Sequence, residues 1–94
     1  MMEIDFDWNP EKEEINYRKH GISFQEATTV LEDLLSWTFP DPDHSGEEQR
    51  YLTMGVSSYD KLLVVSHTDR ESKTRIISAR KATKQERRYY EETH

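Results

Sequence analysis

The sequence has no cysteine, which removes disulfides and thiolate metal sites from consideration. Glycine occurs three times and never in a cluster, so no glycine-rich loop is available to cradle a nucleotide. No apolar run approaches the ~20 residues that cross a bilayer, and "MMEIDFDW" has no basic region ahead of a hydrophobic one. A cytoplasmic location without membrane contact is therefore expected. Metalloprotease motifs and nucleophile elbows are missing too, as are internal repeats, linkers and low-complexity segments.

What remains is short and highly charged. A chain of 94 residues supports one small domain, here residues 1–94, and 33% hydrophobic residues make for a compact core. Two Trp, three Phe and five Tyr help, because each aromatic buries a large area. A domain this small is marginal alone, so a partner that stabilises it is expected.

The order of elements is legible from periodicity and caps. "IDFDW" alternates like a short strand. Asn9 as N-cap, Pro10 in the first turn and Gly21 as a left-handed terminator bracket a first helix of thin apolar content. Ser23 and Glu26 form a capping box for a second helix, whose face is Phe24, Ala27, Val30, Leu31 and Leu34. "SWTF", "RYLTMGV", "KLLVVSHT" and "TRIISARK" read as strands with short connections, hence an antiparallel meander. Thr83 and Glu86 form a second capping box and start a terminal helix. The expected class is α+β: an N-terminal strand and two helices, a four-stranded antiparallel meander with one face covered, then a C-terminal helix.

Charge is unevenly spread along this chain of net charge -6. Residues 1–48 hold 13 acidic and 3 basic side chains, whereas residues 49–94 hold 6 and 10. "RIISARKATKQERRYYEE" concentrates the cations. Strict alternation puts Ile76, Ser78 and Arg80 on one face of the strand, and Arg75, Ile77, Ala79 and Lys81 on the other. Lys84, Arg87 and Arg88 then surround the first turns of a helix, where cations oppose the dipole. Folding does not ask for them there, and an anion-binding role accounts for them. The competing reading is a solvated basic face paired with the acidic half of the chain.

Three other features carry possible chemistry. His67 shares a face with Leu63 and Val65, as either a hydrogen-bonded structural residue or a proton-transfer group. His20 suits a helix C-terminal cation. "DPDHSGEE" begins like a calcium loop with Asp41, Asp43, Ser45 and Gly46, but the twelfth position is Leu52, so a polar turn without metal is expected.

Taken together, "FDWNPEKEEINYRKHGISFQEA", "LEDLLSWTFPDPDHSGEEQRYLTMGVS" and "LLVVSHTDRESKTRIISARKATKQERRYYE" resemble the BrnT family, toxins of bacterial type II toxin–antitoxin pairs. "KHGISF" and "RIISARKATKQERRYYE" are the most specific parts. The resemblance implies a RelE-like fold and a ribonuclease that inhibits translation. It also implies neutralisation by a BrnA-type antitoxin, whose ribbon-helix-helix part binds the operon's DNA, so that DNA is met only through a toxin–antitoxin hetero-oligomer. RNA cleavage without metal or cofactor needs a base, an acid and cations on the phosphorane-like charge. Under this resemblance Arg75 and Arg80 take the phosphate, Lys81 positions it and His67 moves protons. Lys84, Arg87 and Arg88 contact RNA or the antitoxin. The alternatives are a catalytically silent co-repressor of the antitoxin and a basic strand–helix DNA binder, the second disfavoured by net charge.

Overall fold

Eight elements follow one another in the computed structural model, which describes residues 4–43 and 48–94. They are β1 (Phe6–Trp8), α1 (Pro10–His20), α2 (Phe24–Leu31), β2 (Trp37–Pro40), β3 (Arg50–Val56), β4 (Leu62–Arg70), β5 (Lys73–Lys81) and α3 (Lys84–Thr93). The strands form one sheet in the order β1-β5-β4-β3-β2. β2 to β5 are the expected antiparallel meander, and β1 joins β5 in parallel through Asp7↔Arg75 and Trp8↔Ile76. Pro40 sits at the end of β2, an edge strand, where a missing N–H is tolerated. No helix among the described residues is long and apolar enough to cross a membrane.

The main core lies between α2 and the sheet. Ile22, Phe24, Ala27 and Val30 meet Leu63, Val65, Ile76 and Ala79, and Trp8 closes it edge-on to Phe24 at 6.0 Å. Full burial of each large side chain stabilises by roughly 1.5–3 kcal/mol. α2 is shorter than its apolar pattern suggests. It stops at Leu31, and Leu34 is 99% exposed. The carboxylate of Asp33 redirects the chain there, accepting the N–H groups of Leu35 (3.0 Å) and Val56 (2.9 Å). The capping box of α2 is also only half made. Ser23 Oγ accepts from the Glu26 N–H, but the buried Glu26 carboxylate turns to the Ser57 hydroxyl at 2.7 Å.

The sheet is covered on both faces, not on one as expected. Opposite α2, Tyr90 of α3 packs on Met54, Leu62 and Val64, and Trp37 meets Tyr89 edge-on at 5.7 Å. Those contacts lie over β2, β3 and the near half of β4. None of these apolar contacts reaches Ser66, Thr68, Arg75 or Ser78, farther along the same face.

α1 inverts the usual amphipathic logic. Its apolar Ile15 and Tyr17 are exposed, while the polar Asn16 is buried. The reason lies at the edge of β5, beyond the three residues paired by β1. Asn16 Oδ1 accepts the Ala79 N–H (3.1 Å), and its Nδ2 donates to the carbonyls of Ala79 (2.9 Å) and Ile22 (3.1 Å). One amide side chain thus replaces a neighbouring strand. Asn16→Ala would strand a buried N–H and two carbonyls, at a cost of about 1–3 kcal/mol. Denaturant unfolding should show a lower midpoint with an unchanged slope; an unchanged midpoint would remove Asn16 from this role.

His67 belongs to the same α2 side of the sheet. It is 7% exposed, with Nε2 2.7 Å from Thr53 Oγ1, which in turn meets Thr38 Oγ1 at 2.7 Å. Tyr51 stacks on the ring at 5.9 Å, and the buried Nδ1 meets no acceptor. Burial pushes the imidazole below its ordinary 6.5, with Asp69 pulling weakly the other way. The folded state therefore keeps His67 neutral where the unfolded chain takes up a proton. Stability from this group is present above pH 6.5 and is lost as pH falls below it. His67→Gln should flatten the decline of thermal stability between about pH 7 and pH 5; identical slopes in the two proteins would contradict the buried neutral ring.

Candidate nucleic-acid interface

Strand β5 carries one residue more than the β4 segment it faces. Ser78 pairs with Ser66 and Ile76 pairs with His67, leaving Ile77 without a partner. Such a bulge shifts the alternation of side chains beyond it by one. Cross-strand partners share a face, so the register assigns each side chain. Arg75 lies opposite Thr68, Ser78 opposite Ser66, and Arg80 opposite Val64, all on the face bearing α3. Ile76, Ala79 and Lys81 lie on the α2 face, where Ile76 and Ala79 enter the main core. The strict alternation expected from the sequence is corrected accordingly. Arg75 and Arg80 come to one face, and Lys81 leaves it.

Both arginines are held by carboxylates. Arg75 Nη1 lies 3.2 Å from Asp7 Oδ2, brought there by the parallel pairing of β1. Arg80 makes a fork with Glu86, Nη1 to Oε1 at 2.8 Å and Nη2 to Oε2 at 3.0 Å. Glu86 Oε1 also accepts the Thr83 N–H (2.8 Å), while Thr83 Oγ1 accepts the Glu86 N–H (3.1 Å). The capping box is complete, as expected, and its carboxylate anchors the strand's last arginine to α3. The Arg80 hydrogen bonds hold the Glu86 carboxyl down at about 2, helped by the Thr83 N–H and opposed by partial burial. Arg80 Nη1 also donates to the Lys81 carbonyl (3.3 Å), so the guanidinium keeps a fixed orientation, with its Nε–H unpartnered among the described residues.

The other expected residues are distributed differently. Lys81, Lys84, Arg87 and Arg88 are exposed, and among the described residues none pairs with a carboxylate. The N-terminal acids therefore neutralise only part of the patch, chiefly Arg75. His67 is buried on the α2 face, so the fold does not bring it together with Arg75 and Arg80. A proton-transfer role for it at that face is corrected, because the sheet backbone stands between. His20 stays in the last turn of α1, as expected of a helix C-terminal cation.

In "DPDHSGEE", Ser45 and Gly46 lie outside the described residues. The Asp43 N–H donates to Asp41 Oδ1 (3.1 Å), a local turn. No three His, Asp or Glu among the described residues come together as a metal site.

Two acids that matter here were not picked out as site residues from the sequence. Glu86 was legible as a cap, and only the end of β5 reveals its second partner. Asp7 stood in a plain alternation, and its role depends on a parallel pairing that no local pattern announces.

Residues 8–86 match the family model described as the ribonuclease toxin, BrnT, of type II toxin–antitoxin systems. No curated protein matches the chain. Among solved structures, the fold is similar to the crystal structure of the Brucella abortus ribonuclease toxin, BrnT. The TM-score is 0.68 at 21% identity, over 87% of this chain and 100% of that one. With most of its length inside the family model and the same mixed α+β fold, the chain belongs to the BrnT family of ribonuclease toxins of type II toxin–antitoxin systems.

Proposed function

We propose that this toxin cuts RNA without a metal ion and thereby inhibits translation, using the sheet face that α3 leaves open. The observation that carries this reading is the bulge at Ile77, which aligns Arg75, Ser78 and Arg80 along one open strip. An RNA phosphodiester laid along that strip meets two oriented guanidiniums, the groups best suited to charge developing on a transferred phosphoryl. Asp7, on the same face, meets Arg75 through Oδ2, and its Oδ1 is buried. In this reading Asp7 aims the Arg75 guanidinium, and a water molecule takes the proton of the 2′-hydroxyl as its oxygen attacks phosphorus. The bond from phosphorus to the 5′-oxygen breaks, and that oxygen takes a proton from water. The products are a 2′,3′-cyclic phosphate and a free 5′-hydroxyl. Lys84, Arg87 and Arg88 extend the positive surface along α3.

Membership of a type II toxin family supplies an antitoxin as partner. We take it to be of the BrnA type, with a ribbon-helix-helix part that carries the complex to DNA. Its acidic residues cover the unpaired cations Lys84, Arg87 and Arg88 and so close the strip to RNA, because a basic site on an acidic body attracts and steers a complementary segment.

The purified toxin should cleave single-stranded RNA in EDTA and leave 2′,3′-cyclic phosphate ends. Arg75→Lys and Arg80→Lys should each lower the rate by roughly 10- to 100-fold, because a point charge loses the fork geometry at a site where each such contact is worth a few kcal/mol. Activity lost in EDTA and restored by a divalent ion would overturn the metal-free mechanism. A folded toxin with no cleavage at all would favour the silent co-repressor.

Arg87→Glu combined with Arg88→Glu should slow association with the antitoxin, more at low salt than at high salt. Association rates unchanged across salt would place the antitoxin elsewhere, with the exposed Leu34 and Leu35 the next surface to test.

A further inference from the structure

The same register that builds the strip brings three arginines from three neighbouring strands to its far end. Arg50 of β3 faces Thr68 of β4, which faces Arg75 of β5, so all three share the open face. Arg70 lies two residues beyond Thr68 on β4 and therefore on the same face. Across two strand spacings Arg50 and Arg75 are about 10 Å apart at their Cα atoms, within convergent reach of their side chains. Thr68 forms the floor; it is buried, and its hydroxyl is turned to the Gln49 carbonyl at 2.6 Å.

The arginines are not neutralised evenly. Arg70 forks onto Glu48, with Nε to Oε2 at 2.6 Å and Nη2 to Oε1 at 3.2 Å. Arg75 takes Asp7, whose other oxygen is buried without a hydrogen bond. Arg50 has no carboxylate partner among the described residues. Among the described residues, three guanidiniums thus stand against two carboxylates. The groups form one electrostatic unit: Glu48 is held below its ordinary value first by its hydrogen bond from Arg70, with Arg50 and Arg75 adding to the effect. A network made only for stability would match its charges. This one forks Arg70 onto Glu48, pairs Arg75 through a single contact and leaves a third cation without a carboxylate among the described residues, the arrangement that receives an anion.

We propose that Arg50, Arg70 and Arg75 form a phosphate-binding site for the RNA backbone, in which Asp7 and Glu48 orient two of the guanidiniums and Arg50 supplies the uncompensated charge. The site rests on the reading of the chain as an RNA-cutting toxin and deepens it. Arg75 is shared with the phosphate that is cut, and Arg50 and Arg70 hold the phosphate next to it, so the site sets substrate affinity and the register of cleavage. Arg50 is here a binding residue for the neighbouring phosphate.

The test is binding of a 2′-fluoro single-stranded RNA, which cannot be cleaved, to the full chain across a range of salt. Arg50→Ala should weaken binding roughly 10-fold and make the slope of log K against log salt shallower by about 0.7, the value for one phosphate contact on a single strand. Its thermal stability should match that of the parent, since the side chain has no carboxylate partner to lose among the described residues. Lys61→Ala, in the turn entering β4 at the other end of the hairpin, should leave both quantities unchanged. In cleavage assays Arg50→Ala should raise KM with kcat kept. Parent-like affinity and slope for Arg50→Ala, with the parent binding well, would overturn this site and leave the ribonuclease reading standing. A parent protein that binds no RNA would overturn both.

Discussion

The unpaired residue at Ile77 is the constraint on which the arrangement of this molecule depends. Without it, Ile76 and Ala79 would point to opposite faces, and one of them would be lost from the core under α2. With it, both enter the core, and the residues between and beyond them are shifted in step. Arg75, Ser78 and Arg80 therefore share the face that α3 leaves partly open. Core packing and the alignment of the charged strip are two consequences of one inserted residue. The edge of β5 beside the bulge is secured by Asn16, whose amide takes the N–H and C=O of Ala79 where β1 no longer reaches.

The second organising principle is the use of acids to aim bases. Asp7 holds Arg75, Glu48 holds Arg70 and Glu86 holds Arg80, each from a different part of the chain. Exposed pairs of this kind add little stability, on the order of 0–1 kcal/mol each. Their effect here is geometric. A guanidinium anchored through one edge presents the other to a ligand in a fixed direction. An acidic protein can thereby carry a local anion site without a basic surface overall, which limits indiscriminate nucleic-acid binding.

Much of the fold was legible in the sequence because it rests on local signals. Asn9, Pro10 and Gly21 bracket α1 as read, Thr83 and Glu86 cap α3, and the meander follows from strands joined by short turns. The failures are all tertiary. Leu34 continued a helical stripe, but the Asp33 carboxylate ended α2 first. The first helix reads as thin in apolar content, and no local pattern shows that the bonds to Ala79 draw Asn16 inward. The candidate site was legible only in part. Arg75 and Arg80 were chosen on charge and position, and their common face was hidden because period-2 alternation cannot register a bulge. His67 looked like a proton carrier by residue type, yet its burial beneath Tyr51 and its bond to Thr53 make it part of the sheet's interior. Arg50 and Asp7 could not have been picked out, since their neighbours come from strands distant in sequence.

The central claim is that RNA lies along the open strip of the sheet. The most direct measurement is an NMR titration of the isotopically labelled toxin with a non-cleavable single-stranded 2′-fluoro RNA. Backbone amides of Arg75, Ser78 and Arg80, and the side-chain Nε–H signals of the strip arginines, should shift together and saturate at one ligand concentration. Resonances of Phe24, Ala27 and His67 on the α2 side should stay in place. Shifts confined to the α2 side, or to α1, would contradict the account.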